Sequence, residues 1–354
     1  MSASETPLRV GLVGFGLAGR AFHAPLIATT PGLVLRNVVT SNSERREQLS
    51  REYPEARAVD SVEQLLGDPS ALDLVVVASP NDTHSPAARA ALEAGLPVVV
   101  DKPLAPTAAE ARELIELAEA RGVMLTVFQN RRWDGDFLTV RGLMEEGALG
   151  EVARFESRFE RWRPELSGGW RESGDPQDAG GLLNDLGSHL VDQALFLFGP
   201  AAKVYAELDT RRAGAQTDDD SFVALLHESG VRSHLWMSAV AAQLGPRFRV
   251  LGSRAAYVKF GIDVQEELLH AGRRPDDPLW GREADDRWGS LGAGDELRRI
   301  PTVPGAYQRF YEGVMLALRE DASPPVDPDG VVAGLEVLDA ARKSARERRV
   351  VELR

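Results

Sequence analysis

An apolar run, Leu8–Val13, passes directly into a glycine-rich segment, and from there to Phe128 short apolar runs alternate with longer segments of helical period. Leu33–Thr40, Leu72–Ala78, Pro97–Val100 and Met124–Phe128 are rich in branched residues and hold few polar ones. Such runs suit strands buried on both faces, as in a parallel sheet. Ser43–Tyr53, Val62–Leu66, Pro86–Ala94 and Ala108–Arg121 read as helices, the last two followed by Gly95 and Gly122. Glycine in that place accepts the left-handed conformation that closes a helix. The β–α–β order predicts a doubly wound parallel sheet, an α/β Rossmann domain over residues 1–128.

After Phe128 the period changes. In Glu151–Trp162, Arg154, Glu156, Arg158 and Glu160 share one face while Phe155, Ser157 and Phe159 share the other, as in a half-buried strand. Similar segments lie at Ala202–Asp209, Ser221–Glu228, Val231–Ala239, Phe248–Leu251 and Ala256–Phe260. Residues 129–354 are therefore expected to form an α+β domain with a mostly antiparallel open sheet. Phe137–Glu146, Tyr307–Glu320 and Asp329–Glu347 read as its helices, the closing ones able to pack back on the first domain. Residues 263–299, dense in Gly, Asp, Arg and Pro, read as a surface excursion.

Composition narrows the function. The 354 residues favour two domains, and 43% apolar with 27% charged residues describes an ordinary globular protein. A net charge of −13 argues against nucleic acid or an anionic membrane as partner. The absence of cysteine excludes disulfides, thiolate metal sites and cysteine nucleophiles. Residues 1–7 lack the regions of a signal peptide, and no apolar run approaches the roughly 20 residues of a membrane span. A cytoplasmic location is expected.

Gly14-Phe15-Gly16-Leu17-Ala18-Gly19 is G-x-G-x-x-G between strand and helix. Its glycines allow a tight turn, close approach of a pyrophosphate and close helix–strand packing, so this segment is expected to bind a dinucleotide. Sheets that prefer NAD carry an acidic residue at the end of the second strand. Here that place holds Thr40-Ser41-Asn42-Ser43, followed by Arg45 and Arg46. Hydroxyls and guanidinium suit a 2′-phosphate, which favours NADP over NAD. A helix cap with solvated arginines is the competing reading.

Two further motifs follow strand ends, the rim where open α/β sheets bind ligands. They are Ser79-Pro80-Asn81-Asp82-Thr83-His84 and Asp101-Lys102-Pro103. Lys102 there can hydrogen-bond a substrate hydroxyl and stabilise a developing alkoxide. In GGLLNDLGSHLVDQA at 180–194, a helix from Leu186 onward would align Asp185, His189 and Asp192. A histidine flanked by carboxylates suits general acid/base work near neutral pH. A cap at Asp185 with a buried structural histidine is the alternative.

With these segments in place, the chain resembles the Gfo/Idh/MocA oxidoreductases over nearly its whole length. The resemblance rests on GFGLAGRAFHAPL at 14–26, SPNDTHSPAARAALEAG at 79–95, DKP at 101–103 where the family usually has E-K-P, and the 180–194 segment. VFQNRRWD at 127–134 and VQEEL at 264–268 place it nearest the branch of NADP-dependent scyllo-inositol 2-dehydrogenases. The resemblance implies that Lys102 meets both substrate and nicotinamide and that Asp185 and His189 form the acid/base pair. It implies that Pro80, Asn81 and His84 line the cofactor site and that Asn130 and Arg131 lie near substrate. It also implies a cyclitol or sugar substrate, and a homodimer or homotetramer formed through the second sheet. No metal is expected. A catalytically inert NADP(H)-binding sensor is the competing class, and Lys102, Asp185 and His189 argue against it because a sensor needs none of them.

Overall fold

The computed structural model describes residues 6–169, 172–174 and 180–353. In chain order the first elements are β1 (Leu8–Val13), α1 (Ala24–Thr29), β2 (Leu33–Val39), α2 (Ser43–Glu52), β3 (Arg57–Val59), α3 (Val62–Leu65) and β4 (Leu74–Val77). Then come α4 (His84–Glu93), β5 (Val98–Val100), α5 (Ala108–Arg121), β6 (Leu125–Val127), α6 (Gly135–Glu145), β7 (Val152–Glu160) and α7 (Ser188–Phe198). The remainder holds β8 (Ala201–Asp209), β9 (Asp220–His227), β10 (Arg232–Ser238), β11 (Phe248–Gly252), β12 (Ala256–Lys259) and α8 (Gln265–His270). Last are β13 (Gly289–Ala293), β14 (Glu296–Ile300), α9 (Gln308–Glu320), α10 (Pro328–Glu347) and β15 (Val351–Glu352). Two short π-helical turns, Gly19–His23 and Leu183–Gly187, lead into α1 and α7.

The chain divides into two compact units. One comprises Met1–Asn130, Gln265–Trp280 and Ala306–Val331; the other comprises Arg131–Val264, Gly281–Gly305 and Val332–Arg354. The first contains a six-stranded sheet in the order β3-β2-β1-β4-β5-β6, parallel throughout. β4 and β5 are fully buried runs dominated by valine, as expected of central strands covered on both faces. Chain order reverses between β1 and β4, so the crevice beyond their carboxyl ends is the switch point where such sheets take ligands. Local chemistry starts and stops the flanking helices. Asn42 caps α2 by accepting the Arg45 N–H at 2.9 Å, and Thr107 caps α5 by accepting the Glu110 N–H at 3.2 Å. Gly122 ends α5 at φ 63°.

The second unit contains a nine-stranded sheet, β14-β13-β12-β11-β7-β10-β9-β8-β15. It is antiparallel except for the β7–β10 pair. Phe155, Phe159, Val223, Leu235 and Phe248 from one face pack in a core with Phe137 and Val140 of α6 and Leu190, Val191 and Ala194 of α7. The expected surface excursion at 263–299 is corrected. It holds α8, which belongs to the first unit, and the hairpin β13–β14, which extends the second sheet. β14 is an edge strand exposed along all but its last residue, so its side chains lack the apolar alternation that marks a strand.

Candidate active site

In the first unit three loops meet at the switch point. Gly14 has φ 97°, and a Cβ there would lie 2.7 Å from the Ala78 carbonyl oxygen. A Cβ on Gly19 would lie 2.1 Å from the Gly14 carbonyl oxygen. Both glycines are thus compelled by close backbone approach. Gly16 differs: the nearest atom to its Cβ position is Nη1 of Arg45, at 3.9 Å. The middle glycine faces open space, as a cradle for a pyrophosphate requires, so these residues fit a dinucleotide. Phe15 is buried beneath the turn and meets Tyr53 edge-on.

The arginines that follow β2 part company. Arg45 is exposed and leans toward Gly16. Arg46 donates from Nε to the Thr40 carbonyl at 2.9 Å and pairs with Asp60 through Nη2. Ser41 is exposed, and the Asn42 side chain is engaged as the cap of α2. On the next loop Pro80 is exposed and Asn81 half-buried, while His84 is buried. The His84 ring bridges two loops, with Nδ1 2.7 Å from the Pro103 carbonyl oxygen and Nε2 2.9 Å from that of Ser79. The ring thus braces the two loops against each other.

Lys102 is half-buried and precedes a cis peptide bond to Pro103. Asp101 accepts the Lys102 N–H at 2.8 Å, and its other oxygen lies 3.8 Å from Nε2 of His23. Burial alone would push the Asp101 carboxyl up; His23, His84 and Lys102 outweigh it and hold the group below the ordinary carboxylate range. His23 is wholly buried and its Nδ1 lies 2.6 Å from the Tyr311 hydroxyl. The shorter Asp101, in the place of the usual Glu, thus belongs to a buried array behind Lys102.

In the second unit Asp185 lies in the π turn and His189 in the first turn of α7, both buried. Asp192, one turn on, is gripped by Arg132 through both oxygens at 2.8 and 2.7 Å. That ion pair assigns Asp192 to holding the Arg131–Arg132 segment. Arg131 is buried, 3.6 Å from Asp134 and over the Phe159 ring at 5.2 Å. Its carbonyl accepts from Gln193, which accepts in turn from Arg247 at 2.9 Å. Asn130 is buried at the start of the same short turn. Among the described residues no group of His, Asp and Glu is arranged to hold a metal ion.

Residues 8–129 match the NAD-binding Rossmann-fold domain of an oxidoreductase family, and residues 141–353 match that family's C-terminal alpha/beta domain. The chain belongs to the Gfo/Idh/MocA oxidoreductase family. It is 43% identical to the Escherichia coli oxidoreductase YdgJ, over 96% of this chain and 97% of that one. It is 35% identical to the scyllo-inositol 2-dehydrogenase (NADP(+)) IolW of Bacillus subtilis, over 98% and 96%. A solved structure of the Bacillus subtilis protein yvaA covers 100% of both chains with a TM-score of 0.93 at 34% identity.

Within this Gfo/Idh/MocA frame, sequence reasoning passed over His23, Tyr311, Gln193 and Arg247. His23 lies in the 14–26 segment, four residues beyond the glycine-rich motif, and a histidine between Phe22 and Ala24 is its one local signal. The others act through contacts distant in sequence. Trp170 and Arg171, whose aromatic and cationic side chains would suit contact with a sugar, lie outside the described residues.

Proposed function

We propose that the protein is an NADP-dependent dehydrogenase of a secondary alcohol on a neutral cyclitol or sugar. The observation that carries this reading is the glycine turn, closed at Gly14 and Gly19 and open at Gly16, in a chain that also keeps Lys102, Asp185 and His189. The 35% identity to a protein named scyllo-inositol 2-dehydrogenase (NADP(+)) supports the substrate class and the cofactor. When bound, the nicotinamide supplies the hydride chemistry. His189 takes the hydroxyl proton, Asp185 orients and charges its imidazole, and Lys102 stabilises the alkoxide. Asn130 and Arg131 help to place the substrate.

A neutral substrate is supported by ion pairing. Arg132 is matched by Asp192, and Arg212 by Asp219 and Glu172. Cations already neutralised by internal carboxylates are poorly disposed to bind a phosphate or carboxylate on a substrate. We also assign homo-oligomer formation to the outer face of the second sheet, where Phe222, His234 and Trp236 cluster and Arg158 stacks 3.9 Å over Trp236.

The test is turnover of a panel of inositols, aldoses and their acidic and phosphorylated derivatives, with NADP⁺ and NAD⁺, followed by absorbance of the reduced nicotinamide. NADP⁺-dependent turnover of a neutral polyol is expected. His189→Ala is then expected to lower kcat by about 10²–10⁴-fold while NADPH affinity holds. Tight NADPH binding without turnover of any polyol would favour the sensor class, and unchanged kcat in the variant would remove His189 from the chemistry.

A further inference from the structure

Asp185 sits in the π turn Leu183–Gly187, and the first residues of that turn are held from outside. Asp218, two residues before β9, accepts the Leu183 N–H at 2.8 Å through Oδ2. The same oxygen accepts the Ser221 hydroxyl at 2.7 Å, and the Asp218 carbonyl accepts the Leu182 N–H at 3.0 Å. Gly181 has φ 90°, and a Cβ there would lie 2.1 Å from Asp218 Oδ1, so the chain is pressed against this carboxylate. A second hold comes from α10: Arg342 donates to Asn184 Oδ1, and Asn184 donates to the Gly180 carbonyl at 2.9 Å.

A π turn is a rare helix form, and relaxing it to an α turn removes one residue from the step between turns. Residues before the turn would then rotate about the axis relative to those after it. Asp185 lies within the turn and His189 beyond it, so their mutual register depends on the turn being kept. We propose that Asp218 is a positioning residue of the acid/base pair, holding the π turn that sets Asp185 against His189. The functional part of this rests on the dehydrogenase reading; the structural part does not.

The carboxylate also suits this task electrostatically. It lies at the amino end of a helical segment, where negative charge is favoured. Burial pushes its carboxyl up, against the Ser221 and Leu183 hydrogen bonds and the Arg342 charge that lower it.

The experiment reads the His189 ring directly, in protein labelled with ¹⁵N only in its six histidines. Asp218→Ala is expected to shift the His189 ring signals and leave those of His84 and His270 in place. Asp218→Asn, which keeps an acceptor for the Leu183 N–H, is expected to restore them. In turnover, Asp218→Ala is expected to lower kcat about tenfold, the loss of one hydrogen bond to a charged group, with KM for NADP⁺ unchanged and the acid limb of the pH profile displaced. Should Asp218→Ala not fold, Ser221→Ala, which removes one of the contacts to the same oxygen, is expected to move the His189 signals in the same sense. His189 signals unmoved in the folded variant would overturn the proposal. So would a fall in kcat matched by an equal fall in NADPH affinity. A protein without polyol turnover in which Asp218→Ala still moves His189 would sink the dehydrogenase reading and leave the coupling standing.

Discussion

Arg45 and Arg46 are neighbours of the same type with different work. Arg46 spends its guanidinium on Thr40 and Asp60, whereas Arg45 is exposed and leans toward the open glycine. Only a guanidinium left to face the ligand can clamp a 2′-phosphate. Arg45→Ala is therefore expected to raise KM for NADP⁺ about tenfold or more and to leave KM for NAD⁺ nearly unchanged. Arg46→Ala is expected to lower Tm with a smaller change in that ratio. Steady-state kinetics with both cofactors checks the pair, and the reverse ranking would assign the phosphate to Arg46. A second residue-scale prediction concerns Asp134. Burial pushes its carboxyl well above the ordinary range; Arg131 opposes, while Asp263 and Asp136 reinforce the shift. The folded protein thus binds this proton more tightly than the unfolded chain does. Stability tied to it is full below the unfolded pKa and is lost as pH rises through the folded value. Asp134→Asn is expected to flatten that decline, read as Tm against pH from about 4 to 8. A variant whose Tm falls with pH as steeply as the wild type would show that Asp134 does not carry the linkage.

At the scale of elements, the two π turns carry the features that matter. The first begins at Gly19, whose hydrogen atom is packed against the Gly14 carbonyl. Overpacking there costs about 1–3 kcal/mol. Gly19→Ala is expected to direct that cost into the cradle and weaken NADPH binding about tenfold to a hundredfold. A fluorescence titration checks it; unchanged affinity with a lowered Tm would show that the turn is a packing feature only. The second π turn holds Asp185, while His189 and Asp192 lie in the regular helix beyond it, so the spacing of Asp185 to the other two is not that of an unbroken α-helix. Asp192 is paired with Arg132. No local signal marks a π turn, because the hydrogen bonds that hold it come from Asp218 and Arg342, 35 and 158 residues away from their partners. Element boundaries in the first sheet were far more legible. Ala108–Arg121 was readable at both ends, since Thr107 and Gly122 are cap residues with local geometry.

For the whole molecule, the second sheet presents an outer face that carries the charged row Arg154, Glu156, Arg158 and Glu160 of β7 beside the rings of Phe222, His234 and Trp236 on β9 and β10. A homodimer or homotetramer is expected by light scattering, and Trp236→Glu is expected to shift it toward a smaller species by burying a charge in the interface. A wild-type monomer would remove this assignment. What the sequence determined by itself is whatever depends on neighbours along the chain: two fold classes, the parallel first sheet and the glycine turn. Apolar runs and caps act over a few residues, so their meaning survives without the fold. Tertiary structure alone decided that Arg46 and not Arg45 pairs with Asp60, that Asp101 joins His23 and Tyr311, and that β13 and β14 lengthen a sheet. Each of those depends on groups brought together across long loops, and the free energy that brings them there comes from burying a core whose contacts are not written in any one segment.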